Sequence, residues 1–441
     1  MNWKTIFIAL VLSFNLVFSQ QGFQFEKNKN QVTFKFKFIN NLIIIPIEVN
    51  GTSLNFLLDT GVEDSILFSL DDTDELKLSQ VEKIQIQGFG NATPIEGFKS
   101  NFNKIKIKNY TDTNHTLYLV LDQDFNISSQ VGIPVNGIIG YQFFKNDIVK
   151  IDYQKCKITI YKRDKYVIKN AKQYSKFPLQ LINQKPYIDA SVFLSTKDSL
   201  KTSLLVDTGN TDALWLFPSI MNHHNIPKLN YEDFLGRGFS GEVFGKRARI
   251  DSVFLQKFKL KNAICAFPDP LISDQSIIEV ARVGSLGSEV LRRFQIVFDY
   301  SYGFCYIKPN DNYDDPFSFN MTGVEIQHQG LQWVSQSFEE NPVIANNLFD
   351  GNGEKVNSNL KYKFELKPIY VITNVRKNSP ADLAGLLKND FIQKINNRNA
   401  YDFTLQQILD LLKSDKDKTI EFEILRGPKV LTISLPIKDL L

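Results

Sequence analysis

The sequence predicts a mainly β protein, two homologous β-barrel-like lobes followed by a smaller C-terminal α+β domain, and three observations carry that prediction. The first is an internal repeat. Phe56-Leu57-Leu58-Asp59-Thr60-Gly61 recurs as Leu204-Leu205-Val206-Asp207-Thr208-Gly209, 148 residues on, and Gly88, Gly90 and Gly97 recur as Gly236, Gly238 and Gly245 at the same offset. Ile138-Ile139-Gly140 and Ile151-Asp152-Tyr153 recur as Ser285-Leu286-Gly287 and Phe298-Asp299-Tyr300 at an offset of 147, so a single deletion reconciles the register. Repeated glycines are the more telling part, because they mark backbone that needs a positive φ or a close approach. The second observation is composition: 36 Phe and 16 Tyr in 441 residues favour pleated, half-buried strands over helices. The third is the shift after Ile307 to Lys308-Pro309-Asn310-Asp311-Asn312-Tyr313-Asp314-Asp315-Pro316, a polar, proline-bounded stretch.

Taken in order, residues 1–20 read as a secretory signal peptide. Lys4 precedes the apolar run Ile6 to Phe18, which is shorter than the roughly 20 residues needed to cross a bilayer, and Ser19, Gln20 and Gln21 supply the cleavage region. The first lobe is placed at 21–165 and the second at 166–308. Val32 to Phe38, Lys104 to Lys108, Ile148 to Ile151 and Lys157 to Tyr161 alternate as strands, and Asn50-Gly51 marks a hairpin turn. Gly88-Phe89-Gly90 and Gly236-Arg237-Gly238 read as hairpin tips. A linker at 309–320 leads to the third domain, 321–441. There Tyr370 to Val375 is strand-like, Ser379-Pro380 opens a short helix closed at Gly385, and Phe391 to Ile395 turns at Asn396-Asn397. Thr404 and Gln407 form a capping box for a helix whose Leu405, Ile408, Leu409 and Leu412 share one face. Thr419 to Leu425 and Val430 to Pro436 complete the domain.

Fifty-one Lys and Arg against 48 Asp and Glu leave a net charge of +3, too balanced to drive binding by counterion release, so no nucleic-acid partner is expected. Cys156, Cys265 and Cys305 are too few for a disulfide framework and are expected as free thiols. His115, His223, His224 and His328 fall in no ligand spacing, so neither a metal nor a cofactor is expected.

The chemistry lies in the duplicated acid. Asp59 and Asp207 each end an apolar strand and each precede Thr-Gly, where the chain must turn sharply. Duplicated lobes bring duplicated sites together, and two carboxylates close enough to share a proton cannot both ionise cheaply. One stays an acid and the other a base, which is the split that amide hydrolysis by water requires. Thr60 and Thr208 are suited to cross-bracing the two loops through their hydroxyls, and Gly61 and Gly209 permit the close backbone approach.

On these motifs, together with Gly137-Ile138-Ile139-Gly140 and Gly284-Ser285-Leu286-Gly287, residues 25–310 resemble the aspartic peptidases of the pepsin and retroviral protease type. The resemblance implies an acid-protease fold, an endopeptidase acting on polypeptide substrates, and Asp59 and Asp207 sharing a catalytic water. It also implies a flap over the cleft, carried onto Gly88, Phe89 and Gly90 and onto Gly236, Arg237 and Gly238. Val62 and Asn210 stand where pepsins place Ser or Thr, so the strongly acidic optimum of digestive relatives does not carry over. Both acids lie in one chain, so catalytic competence as a monomer is expected. The alternative is a catalytically silent bilobal peptide-binding protein.

The third domain resembles bacterial PDZ modules in Asn378-Ser379-Pro380-Ala381-Asp382-Leu383-Ala384-Gly385-Leu386 and Asn389-Asp390-Phe391-Ile392. That implies a peptide or protein ligand added as a strand in a groove formed by Lys367, Pro368, Ile369 and Tyr370 opposite Leu405 and Leu409. The usual carboxylate loop is replaced by Leu366-Lys367-Pro368-Ile369. Signal peptide, sparse cysteines and this tail together point to an exported, periplasmic protein, with secretion or surface association as the alternatives.

Overall fold

The structure, a computed structural model, describes residues 22–69, 76–86, 95–120, 127–221, 223–238, 241–270, 283–339, 360–413, 417–439 and 441. The expected signal peptide and the expected Gly88-Phe89-Gly90 tip lie outside the described residues.

Each lobe is built on one unusual strand crossing. Gly137–Ile139 lies between Thr52–Leu58, to which it is parallel, and Ser65–Leu67, to which it is antiparallel. In the second lobe Gly284–Leu286 lies in the same way between Asp198–Val206 and Leu214–Leu216. Glycine starts both inserted strands because there is no space for a side chain. A Cβ at Gly137 would stand 2.4 Å from Ile66 O, and one at Gly284 2.0 Å from Trp215 O.

A six-stranded sheet joins the lobes, in the order Ser175–Pro178, Phe304–Pro309, Phe294–Asp299, Ile148–Asp152, Lys157–Tyr161, Gln31–Lys35. At its centre Lys150 pairs with Val297, its own repeat equivalent 147 residues on, so the pseudo-twofold axis passes between them. The run Val32 to Phe38 is two strands rather than one, broken at Phe36, whose N–H donates to Cys156 O at 2.9 Å. All three cysteines are free, and Cys265 and Cys305 are buried.

The C-terminal sheet runs Val324–Glu339, Leu360–Val375, Phe391–Ile395, Thr419–Arg426, Lys429–Pro436. Thr404 Oγ1 accepts from Gln407 N at the start of helix Leu405–Leu412, and the capping box is complete. Here the structure corrects the groove expected from sequence. Pro368 pairs with Leu331 and Lys367 with Gln332, while Tyr370 is flanked by His328 on one side and Ile392 on the other. Tyr370 is also buried, its hydroxyl donating to Phe403 O at 2.7 Å. The strand carrying Lys367, Pro368, Ile369 and Tyr370 is therefore interior, and the terminal strands of the sheet are Val324–Glu339 and Lys429–Pro436. The expected linker is a packed strap as well: Arg293, fully buried, donates to the carbonyls of Asn312, Tyr313, Asp315 and Pro316 and lies 3.7 Å over the Phe317 ring.

Candidate active site

Asp59 and Asp207 follow directly on the apolar strands Thr52–Leu58 and Asp198–Val206, whose Leu54, Phe56 and Leu58, and Leu204 and Val206, pack into the core. The inserted strands hold both acids identically: Asp59 N donates to Ile139 O, and Asp207 N to Leu286 O, each at 3.0 Å. The two loops are then tied to each other. Thr60 N donates to Thr208 Oγ1 and Thr208 N to Thr60 Oγ1, both at 3.0 Å. Each hydroxyl in turn donates across the axis, Thr60 Oγ1 to Val206 O at 2.5 Å and Thr208 Oγ1 to Leu58 O at 2.8 Å. Both threonines are fully buried, so each of these four bonds is worth about 1 kcal/mol net, and losing one partner would cost more than that.

The carboxylates converge beyond this lattice. Gly61 N donates to Asp59 Oδ1 at 2.7 Å and Gly209 N to Asp207 Oδ1 at 3.1 Å. A Cβ on Gly61 would lie 3.0 Å from Asp207 Oδ1 and 3.1 Å from Asp59 Oδ1, so oxygens of both acids face one point. Both acids are half-buried, open enough to be reached and dry enough for their charges to be felt. The two sides differ behind the dyad. Ser288 Oγ donates to Thr208 O at 3.1 Å, whereas the equivalent first-lobe position is Tyr141. Tyr300 is buried near the dyad; burial first, and then Cys305 and Asp59, push its hydroxyl well above the usual tyrosine range.

Sequence reasoning brought together Asp59, Thr60, Gly61, Asp207, Thr208 and Gly209, and the structure sets all six at one place. Gly236, Arg237 and Gly238 form the end of the hairpin Asn230–Gly238/Gly241–Arg249, and Gly236 lines a cavity that Thr211 and Asp212, just past the second loop, also line. Two braces had no sequence signal. The turns Asn40-Asn41 and Asn183-Gln184 match across the axis, all four residues having positive φ, and each leads to a contact with the opposite catalytic loop. Asn41 Nδ2 donates to Thr211 O at 2.9 Å, and Lys185 Nζ pairs with Glu63 at 3.1 Å. The other brace is a Ser-His-Asp line, with His115 Nδ1 2.8 Å from Asp112 Oδ2 and Nε2 2.7 Å from Ser65 Oγ. All three residues are buried, packed under Phe23, so no substrate reaches Ser65 and the line serves to anchor the strand after the first catalytic loop.

Residues 45–143, which include Asp59, match the family model described as aspartyl protease, and residues 371–426 match that of the PDZ domain. No curated protein matches the chain. Among solved structures the chain is similar to the aspartic proteinase from Irpex lacteus, with 12% identity and a TM-score of 0.43 over 65% of this chain and 99% of that one.

Proposed function

We propose that this chain, which joins an aspartyl protease domain to a C-terminal PDZ domain, is an exported endopeptidase that hydrolyses polypeptides with the Asp59/Asp207 pair. The observation that carries the reading is the reciprocal Thr60/Thr208 lattice, which presents two carboxylates from two lobes to one point. Two carboxylates so placed share one proton, because a second negative charge at that distance is costly. The ionised member takes a proton from a water between them as that water attacks the scissile carbonyl. The protonated member gives its proton to the carbonyl oxygen, and a neutral tetrahedral diol results. The member now protonated then gives its proton to the amide nitrogen while the other takes one from a diol hydroxyl, so the C–N bond breaks, acid and amine leave, and the pair again holds one shared proton. Export is proposed on the N-terminal apolar run, with the periplasm as the compartment.

Asp59→Asn and Asp207→Asn, assayed on unfolded casein with product peptides read by mass spectrometry, should each lose on the order of 10³-fold or more in turnover with unchanged thermal melting. A single variant that kept near wild-type turnover would overturn the assignment.

A further inference from the structure

Beyond the His328/Tyr370 pair the C-terminal sheet narrows to two strands. From Leu331/Pro368 to Glu339/Leu360, Val324–Glu339 and Leu360–Val375 pair only with each other among the described residues, an arm of roughly 30 Å. An extra residue at Gln329-Gly330, with Gly330 at φ +90°, bends the ribbon where it leaves the sheet. Strand alternation then gives the arm two unlike faces. The opposed pairs Leu331/Pro368, Trp333/Leu366 and Ser335/Phe364 share one face, while Gln332/Lys367 and Val334/Glu365 share the other. The apolar face is open: Trp333 is 70%, Phe364 63%, Leu331 55% and Leu366 49% exposed. A two-stranded ribbon is marginal by itself in water, and so contiguous an apolar face marks an interaction surface.

We propose that this face of the ribbon is an exosite, holding an apolar stretch of an unfolded polypeptide substrate through side-chain contact while a neighbouring stretch lies at the dyad. The inference rests on the peptidase reading above and adds a substrate class to it, since folded proteins keep such stretches inside. The position of the ribbon's root favours this occupant. Helix Ile127–Val131 buries Ile127 and Val131 against Leu57 and Ile138, and Val62, the residue after Asp59-Thr60-Gly61, packs on the same cluster. Ser129 of that helix donates to Gln327 Oε1 at 3.3 Å, just before the bend. The arm therefore springs from a point one short helix away from the first catalytic loop. Area argues against a second copy of the chain. The four exposed side chains leave on the order of 500 Å² of apolar surface open, short of the about 800 Å² per partner that a stable pair of proteins buries. Charge argues against a lipid surface. Lys363 and Lys367 both pair with Glu365, at 2.5 and 2.7 Å, and over 331–339 and 360–368 three lysines stand against two glutamates. That leaves little to attract anionic headgroups, whereas a held apolar segment needs no charge and raises the local concentration of the rest of its chain at the dyad.

The test uses the full-length Asp59→Asn protein, in which turnover is stopped, and fluorescein-labelled 20-residue peptides read by anisotropy. One peptide carries a tract of Leu, Val and Phe, and in the other Ser and Gln replace that tract. Adding Trp333→Gln and Phe364→Gln should weaken the apolar peptide about tenfold and leave the polar one unchanged. Trp333→Phe with Phe364→Leu keeps the face apolar and should keep the affinity. Leu331→Gln with Leu366→Gln, on the same face, replaces the first pair if that pair lowers the melting temperature, and should weaken the apolar peptide severalfold. Unchanged affinity in both glutamine pairs, or an equal loss in the apolar Phe/Leu variant, would overturn the exosite. So would unchanged peptide affinity in the glutamine pairs with loss of either a sedimenting dimer or flotation on phosphatidylethanolamine/phosphatidylglycerol vesicles, which would give the face to a second copy or to a bilayer. Cleavage of unfolded casein by the wild-type chain is read separately: its absence counts against the peptidase reading, while the peptide affinities still decide what the ribbon holds.

Discussion

Gly61 and Gly209 hold matching places in the two loops but leave different room. A Cβ on Gly209 would fall 2.2 Å from Asp59 Oδ2, a contact that cannot exist, whereas one on Gly61 would press on Asp207 Oδ1 at 3.0 Å, tight but relieved by a shift of a few tenths of an ångström. Gly209→Ala should therefore push Asp59 off the point it shares with Asp207 and lower kcat by roughly 10²-fold, the usual result of misplacing a catalytic group by about an ångström. Gly61→Ala should lose markedly less, and equal losses, or the reverse order, would show that the two acids are not held as described. Glu325 gives a second prediction at this scale. Burial, aided by Asp233 and opposed by Arg247, Lys413 and Arg376, pushes its carboxyl from 4.5 up to about 7. Between those values the folded chain keeps a proton that the unfolded chain has lost, so this residue's contribution falls as pH rises through that window and is at its worst above it. Glu325→Gln removes the titration. Its melting temperature should exceed the wild type's by a few degrees at pH 8 and by little at pH 5, which differential scanning calorimetry at the two pH values would check; a gain that is larger at pH 5 would contradict the burial of this acid.

Elements with local signals were legible in the sequence. The Thr404/Gln407 capping box, the Ser379 cap, the Asn396-Asn397 turn and strand Lys157–Tyr161 are set by residues within a few positions of one another, and each lies where the pattern puts it. What was not legible depends on distant partners. Val324–Glu339 is rich in Gln and Ser, so its periodicity is weak, and without it Leu360–Val375 looks like a free edge when in fact it is paired on both sides. The Ser65-His115-Asp112 line spans 50 residues and leaves no periodic trace. The stretch 309–320 reads as a linker because Pro and Asp punctuate it, yet the distant Arg293 donates to four of its carbonyls. Arg293→Met keeps the apolar stem over Phe317 but abandons the strap's carbonyls, which should cost about 2–4 kcal/mol in urea unfolding. Native-state proteolysis should then open the chain at 310–316. Undiminished resistance there, with unchanged stability, would mean that the strap is held by its other contacts, such as the Arg292–Asp315 pair at 2.7 Å.

At the scale of the whole molecule, the repeat and the dyad have one consequence that separates this chain from any arrangement that needs two. The six-stranded sheet pairs strands from both lobes around the Lys150/Val297 contact, so the closure that brings Asp59 to Asp207 occurs within a single polypeptide. The C-terminal domain is tied to the same body. Asp233 of the second lobe is shared by Arg247 at 2.7 Å and by Arg376 of the C-terminal domain at 3.2 Å, and Arg376 lies 4.2 Å over the Tyr231 ring. Assembly of the site should accordingly be unimolecular, with a population independent of protein concentration, unlike a site shared between protomers, which empties by mass action on dilution. Specific activity on a fluorogenic peptide should stay constant from about 1 µM down to about 1 nM enzyme, well below the dissociation constant of an ordinary protein pair. Sedimentation at the upper end shows whether any dimer exists at all. A fall in specific activity that tracks the loss of such a dimer would mean that the second copy supplies part of the site, and that the two lobes of one chain do not complete the dyad by themselves.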